Sequence, residues 1–333
     1  MIDLNATYLG LNLKSPLVAS ASVLSKKLEN IRKMEDAGLG AVVLYSLFEE
    51  EVDHESIELN YFLNRGTESF PEAITYFPDL NNYTLQAEKY LDLIREAKKS
   101  VSIPVIGSLN GVSTGGWIKY ARQIEEAGAD ALELNLYYVA SDAQIDGQSL
   151  EHAYLDVISA IRAQIQIPLA VKLSPFFTSL PNFLQKISQA GVQGAVLFNR
   201  FYQPDLDIEN LEVQPHLELS ASSDLLLPLR WIAISHGRLP LDLALSSGVH
   251  NGRDMVKAIM AGASVVMVAS EMVARGIPRA AEMLQEFEQW IMKHDYASAS
   301  EIRGILSQKN VASPAVFERA NYMKALRLFD DRF

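Results

Sequence analysis

The chain contains no cysteine. That excludes disulfides, thiolate nucleophiles and cysteine-ligated iron–sulfur clusters within it. No apolar run reaches the roughly 18 residues that a membrane-spanning helix requires, so no span is expected. Positive charge is in short supply: 29 Lys and Arg stand against 41 Asp and Glu, a net charge of −12. This argues against binding to nucleic acid or to anionic membranes. The six histidines show no HxxxH-type spacing, so no metal site is expected, and His250 reads as a helix-start residue. There is no GxGxxG. The opening MIDLNATYLG lacks a basic region followed by an apolar one, so no secretory leader is expected and a cytoplasmic location is. In that setting the NAT and NYT sequons carry no meaning.

What is present is a repeated phrase. AGLGAVVL starts at Ala37, AGADALEL at Ala127, AGVQGAVLF at Ala190 and AGASVVMV at Ala261. Each follows an amphipathic stretch: NIRKMED, WIKYARQIEE, NFLQKISQ and RDMVKAIM. The physical reading is a helix, a glycine C-cap in the left-handed conformation, then a buried strand. A second phrase alternates with the first: IPVIGSL from Ile103, IPLAVKL from Ile167 and LPLDLALSSG from Leu239, with PLVASAS from Pro16 alike.

Together these phrases predict eight short strands near 16–20, 41–45, 104–108, 131–135, 169–173, 194–198, 241–245 and 265–269, with helices between them. Eight β/α units in one domain of this size make a single-domain α/β fold, the (β/α)8 TIM barrel. A doubly wound sheet would need fewer strands and a glycine-rich first turn. The expected division is a barrel over 1–296 and a C-terminal helical extension over 297–333 packed on it. Two connections, Leu47 to about Asn82 and Arg200 to about Ser222, are long enough to be lids or substrate walls after strands two and six.

Barrel enzymes work where the strands end. The predicted ends carry Ser20-Ala21-Ser22, Tyr45-Ser46, Ser108-Leu109-Asn110, Asn135, Lys172, Asn199, Ser246-Ser247-Gly248 and Ala269-Ser270. Ser247-Gly248 and Ala269-Ser270 follow strands seven and eight, where barrels bind phosphate; here the glycine reads as letting the backbone approach an anion. Lys172 at a strand mouth needs an anionic partner or a chemical role, which could be a Schiff base, a phosphate contact or stabilisation of an anionic cofactor. Asn135 and Asn199 suit a flat polar ring, because an amide offers both donors and acceptors.

These residues together resemble the dihydroorotate dehydrogenases, FMN-dependent (β/α)8 enzymes that oxidise dihydroorotate to orotate in pyrimidine biosynthesis. The resemblance runs from PLVASAS to ASEMVARGIP and is carried by ELNL, VKLSPFF, VLFN and SSGVHNGRDMVKAIMAGASVVMVAS; the branch it resembles most is usually called dihydroorotate dehydrogenase-like. It implies FMN as cofactor, with Ser20 and Ala21 behind the flavin ring and Ser46, Asn110, Asn135 and Asn199 near flavin or substrate. Lys172 would face the ring's N1–C2=O edge, and Ser247, Gly248, Ala269 and Ser270 would hold the phosphate. A lysine about 4 Å from a flavin anion stabilises it by up to roughly 4 kcal/mol at an effective dielectric near 20. The resemblance also implies a homodimer and a small planar, dihydropyrimidine-like substrate.

The departures from the family fall on the substrate side. Tyr138 stands where the family keeps its cysteine or serine base, and Ala140 where it keeps a substrate-binding asparagine. Tyr45 precedes Ser46 where the family has a lysine, TESFPEA at 67–73 keeps no asparagine, and Leu219-Ser220 replaces a Gly-Gly. As a base, a phenol of reference pKa near 10 is ionised in about one molecule per thousand at pH 7. Tyr137 and Tyr138 read first as residues that shape or close the pocket. Two other classes stay open: a flavin-free, phosphate-binding lyase or isomerase using Lys172, and a non-catalytic flavoprotein.

Overall fold

The computed structural model describes residues 2–48, 86–110, 114–136, 138–200, 203–214, 216–319, 322–323 and 326–327. Most of the long connection after strand two, the TESFPEA segment and Tyr137 lie outside the described residues.

Eight parallel strands form the barrel: β1 Leu17–Ala19, β2 Ala41–Val43, β3 Val105–Asn110, β4 Ala131–Asn135, β5 Leu169–Leu173, β6 Gly194–Leu197, β7 Asp242–Ser246 and β8 Val265–Val268. Each pairs with its sequence neighbour, β8 pairs β1 (Val266 opposite Leu17), and β2 pairs β3 (Val42 opposite Val105), so the sheet closes. The helices are α1 Leu28–Asp36, α2 Gln86–Ser100, α3 Thr114–Glu126, α4 Gly147–Arg162, α5 Leu180–Gln189, α6 Leu226–Ser235, α7 Gly252–Ala261, α8 Ser270–Arg275 and α9 Arg279–Lys293. The repeated Ala-Gly does what the sequence implies: Gly38, Gly128, Gly191 and Gly262 have φ of 91°, 98°, 89° and 119°. A side chain at those angles is strained, so glycine ends the helix and turns the chain into the next strand.

Two apolar layers result. One lies between the strands' outer faces and the helices and includes Leu17, Leu132, Leu169, Ile94, Ile124, Phe183 and Phe287. The other fills the barrel interior with Val18, Ala41, Val43, Ile106, Ala131, Ala170, Val196, Ala244, Val265 and Met267. Its lower end is closed by the N-terminal hairpin, strands Ala6–Tyr8 and Leu11–Leu13, which inserts Tyr8, Leu9 and Leu13. Gly194 permits this, since a Cβ there would come within 2.5 Å of Leu9 Cδ2.

The connection after β6 carries a second hairpin, Asp205–Asp207 paired with Glu212–Gln214. Beyond Ala297 the chain runs against the outside of α6 and α7. The Gly304 and Leu306 amides donate to Ile259 and Met260 carbonyls, and the Gln308 amide donates to Ala233.

Candidate active site

Side chains alternate along a strand, so the next inward position after the apolar lumen layer lies two residues on. Those positions hold Ser20, Tyr45, Ser108, Glu133, Lys172, Phe198, Ser246 and Ala269. The interior thus turns from apolar to largely polar within one step toward the strands' C-terminal ends. Lys172 and Glu133 are almost wholly buried there, with Nζ 3.5 Å from Glu133 Oε1, and Lys172 Nζ donates to Ser20 Oγ at 3.1 Å. Neither Glu133 oxygen has a hydrogen-bond partner among the described residues, nor does the buried Tyr8 hydroxyl. Burial, with the charges of Glu133 and Asp242, pushes the Tyr8 phenol well above its ordinary range and keeps it neutral.

Above this layer lies a cavity of about 310 Å³. Of the sequence-predicted residues, eight line it: Ser20, Ala21, Lys172, Asn199, Ser247, Gly248, Ala269 and Ser270. Ser246 and Ser220 add hydroxyls, and Leu217–Leu219 of the long connection after β6 add a wall. Ser247 and Gly248 both adopt left-handed backbone, φ 83° and 76°. Such a φ in a non-glycine residue is costly and is held by its surroundings. The structure adds a reason for the glycine that the sequence did not suggest: a Cβ on Gly248 would lie 2.1 Å from the Leu225 amide nitrogen. Packing of the chain before α6 already demands it, whatever the cavity holds.

Asn135, Ser46 and Asn110 do not line this cavity. Asn135 Nδ2 donates to Ser108 Oγ (2.9 Å) and Ser46 Oγ (3.1 Å), and those hydroxyls are 2.9 Å apart. The amide ties the ends of β3 and β4 to the turn after β2. Tyr90 of α2 supports the cluster, accepting from the Ser108 amide at 2.7 Å and donating to its carbonyl at 3.1 Å. It fills the gap in the ladder between the Val43–Ile106 and Leu47–Leu109 pairings. Asn110 is buried at the end of β3. Tyr45 packs edge-on against Tyr90 at 5.0 Å, and Lys26, from the turn after β1, places Nζ 5.0 Å above the Tyr45 ring.

Tyr138 is 45% exposed and stands apart from Lys172's cavity. It lines a separate space of about 440 Å³ with Ala140, Tyr154, Phe176 and Phe177. A third cavity, about 560 Å³, shares Phe176 and Gln203 with this one and Phe198, Asn199 and Arg200 with the first. The three cavities thus adjoin across the mouth, with a polar and an aromatic end, and each by itself falls within the usual range of roughly 300–1,000 Å³ per ligand site.

His250 is not simply a helix-start residue; Asn251 caps α7, its Oδ1 accepting from the Asp254 amide at 3.0 Å. The His250 ring lies between Ser220 Oγ (3.2 Å from Nε2) and Glu271 Oε2 (2.8 Å from Nδ1). Arg279 donates to Glu271 and to the His250 carbonyl, each at 3.0 Å. Burial acts to raise the Glu271 carboxyl, but hydrogen bonds from His250 and Arg279 and the Arg275 charge outweigh it and hold the pKa below 4.5.

Sequence reasoning missed Glu133, although the signal was present: a carboxylate at an inward, period-two position between Ala131 and Asn135. It also missed Tyr90, Lys26, Glu271 and Arg279, for which helix patterning gave no signal. Among the described residues no group of acidic or histidine side chains is placed to hold a metal, and no helix is long and apolar enough to cross a membrane.

The geometry defines a barrel whose small-molecule site opens at the C-terminal ends of the strands. A comparison with protein-family models gave no match. Among curated proteins the chain is 23% identical over 313 residues to the "Dihydroorotate dehydrogenase B (NAD(+)), catalytic subunit" of Thermoplasma volcanium, covering 92% of this chain and 99% of that one. The same-named subunits of Thermoplasma acidophilum and Pyrococcus abyssi are each 24% identical, over 317 and 321 residues, with the same coverage of 92% and 99%. Over most of its length the chain is similar to proteins of the dihydroorotate dehydrogenase family.

Proposed function

We propose that this chain is a cytoplasmic FMN-dependent oxidoreductase acting on a CH–CH bond of a small planar ring, and that it turns over dihydroorotate weakly or not at all. The observation that carries the first half is the gathering of Ser20, Ala21, Lys172, Asn199, Ser247, Gly248, Ala269 and Ser270 around one cavity. The donor set suits FMN: a buried cation at one side, hydroxyls and small residues at the other, and open continuation into the wider depression for a second ligand. When bound, FMN supplies reversible acceptance of a hydride equivalent.

The chain's own contributions follow from position. Lys172 would hold positive charge beside a bound flavin ring, and Ser20 Oγ accepts from its Nζ and so directs it. Asn199 offers an amide to the ring, and Ser247, Gly248, Ala269 and Ser270 would hold the phosphate. Asn135 acts at one remove, locking Ser46 and Ser108.

The second half rests on Tyr138 and Ala140. They lie in the aromatic end, away from Lys172, and supply neither a carboxamide nor a small basic group. The reading includes a homodimer, which would cover Leu206, Ile208, Leu211 and Val213, all at least 65% exposed on and beside the second hairpin. The flavin-free lyase is less favoured because Lys172 Nζ is already committed to Ser20 and Glu133.

Purified protein is expected to absorb near about 450 nm, and anaerobic mixing with dihydroorotate is expected to leave that band intact. A colourless protein that borohydride couples to a carbonyl compound at Lys172 would sink the oxidoreductase reading. Rapid bleaching by dihydroorotate would remove the claim of altered substrate.

A further inference from the structure

The Ser220–His250–Glu271 chain ends on the cavity wall yet has no place in the chemistry above. Its hydrogen-bond polarity is constrained. Glu271 is ionised and only accepts, so His250 Nδ1 must donate to it. When the ring is neutral, Nε2 is then an acceptor, and the Ser220 hydroxyl must spend its single proton on it. Ser220 then shows only lone pairs to the cavity, which repel an anion. When the ring is protonated, Nε2 donates to Ser220 Oγ, and the Ser220 proton becomes free to point into the cavity. Ser270 is already in that condition, since its Oγ accepts from the Ser220 amide at 3.1 Å and keeps its own proton.

We propose that Ser220, His250 and Glu271 form a proton-linked relay: a dianionic group enters the cavity together with one proton, which is taken up on His250. This rests on the reading that the cavity holds a phosphate, and adds the residues that govern how tightly and at what pH. Ser220 and His250 are positioning residues here, and no bond to the ligand is formed or broken.

The charges around the ring support the exchange. On α8, Glu271 favours the imidazolium and Arg275, 3.4 Å from Glu271, opposes it. On α9, Arg279 opposes it, but its guanidinium is also paired with Glu282 (3.0 Å) and Glu286 (2.7 Å). On α7, Asp254 accepts from the His250 amide at 3.2 Å and carries Lys257 at 3.3 Å. Before α6, Asp224 accepts from the Ala221 amide beside Ser220 and pairs with Arg200 at 3.9 Å, and Arg200 and Lys172 add positive charge to the cavity wall. Carboxylates outnumber cations among the ion pairs of this shell.

The test uses sulfate, which stays a dianion across the range where histidine titrates. The full chain is titrated calorimetrically with sulfate in two buffers of different ionisation enthalpy, which counts the protons taken up. The expected result above neutrality is close to one proton per sulfate, with affinity falling about tenfold per pH unit on the alkaline side. His250→Gln is expected to bind sulfate with no proton uptake and a flat pH profile. Because Arg279 also leans on this loop, Ser220→Ala provides a variant that leaves Glu271 and Arg279 untouched. It is expected to weaken sulfate binding about tenfold at acidic pH and to flatten the profile, at unchanged thermal stability. Sulfate binding without proton uptake, or with uptake unaltered in His250→Gln, overturns the relay and leaves the phosphate reading standing. No sulfate binding at any pH overturns both.

Discussion

The polar and aromatic ends of the mouth differ in how they are held. At and behind the polar end several side chains are fixed by neighbours: Lys172 by Ser20 and Glu133, Asn135 by Ser46 and Ser108, Ser270 by the Ser220 amide, His250 by Glu271. At the aromatic end Tyr138 and Phe176 are 45% and 74% exposed. Rigid backing suits a resident group that always binds in one pose, while exposed aromatic rings suit a visiting ligand or one that brings its own closure. The division follows the sequence only in part: most matches to the dihydroorotate dehydrogenase pattern and the Leu219-Ser220 departure line the polar end, while the Tyr138 and Ala140 departures line the aromatic one.

The largest blow to this contrast comes from Lys172. Lys172→Met leaves Glu133 as a buried, uncompensated charge, and a loss of about 3–5 kcal/mol in urea denaturation is expected. Lys172→Met combined with Glu133→Leu is expected to recover most of that stability without recovering ligand binding. If the double variant is no more stable than the single, the pair is not what holds this layer.

A smaller effect belongs to Glu271. Its folded-state pKa lies below the usual 4.5, so its contribution to stability is fully present above that pH and is lost as pH falls through the folded value. Stability measured below pH 4.5 should therefore fall less steeply in Glu271→Gln than in the parent chain. Equal slopes would show that the relay end is not electrostatically tied to the fold.

The smallest effects are expected at the aromatic end. Tyr138→Phe and Phe176→Ala should each shift stability by no more than about 0.5 kcal/mol and leave any flavin absorption unchanged. A change in that absorption would break the division, by showing that the two ends share one ligand.

The fold was legible because its signals are local. A glycine that must turn left-handed after a helix, and a proline before a buried run, mark strand boundaries without any knowledge of the tertiary arrangement. All eight strands fall where these phrases put them, and the lining role of Lys172 or Ser270 follows from being last on a strand. What was not legible depends on distance across the fold. Asn135 sits at a strand end like Lys172, yet its amide is consumed by hydroxyls from two other strand ends. Gly248 suggested an anion, but the backbone of residues 224–225 crosses its α-carbon. Ser220 and His250 lie thirty residues apart and Glu271 a further twenty-one on, so no window reveals that they touch.

The N-terminal hairpin has a consequence for access. By seating Tyr8, Leu9 and Leu13 under the lumen it closes the barrel axis from below. Whatever settles against Lys172 would enter and leave from the C-terminal ends of the strands, not along the barrel axis from below. The two-ligand chemistry proposed for this chain would then be served from one side of the barrel.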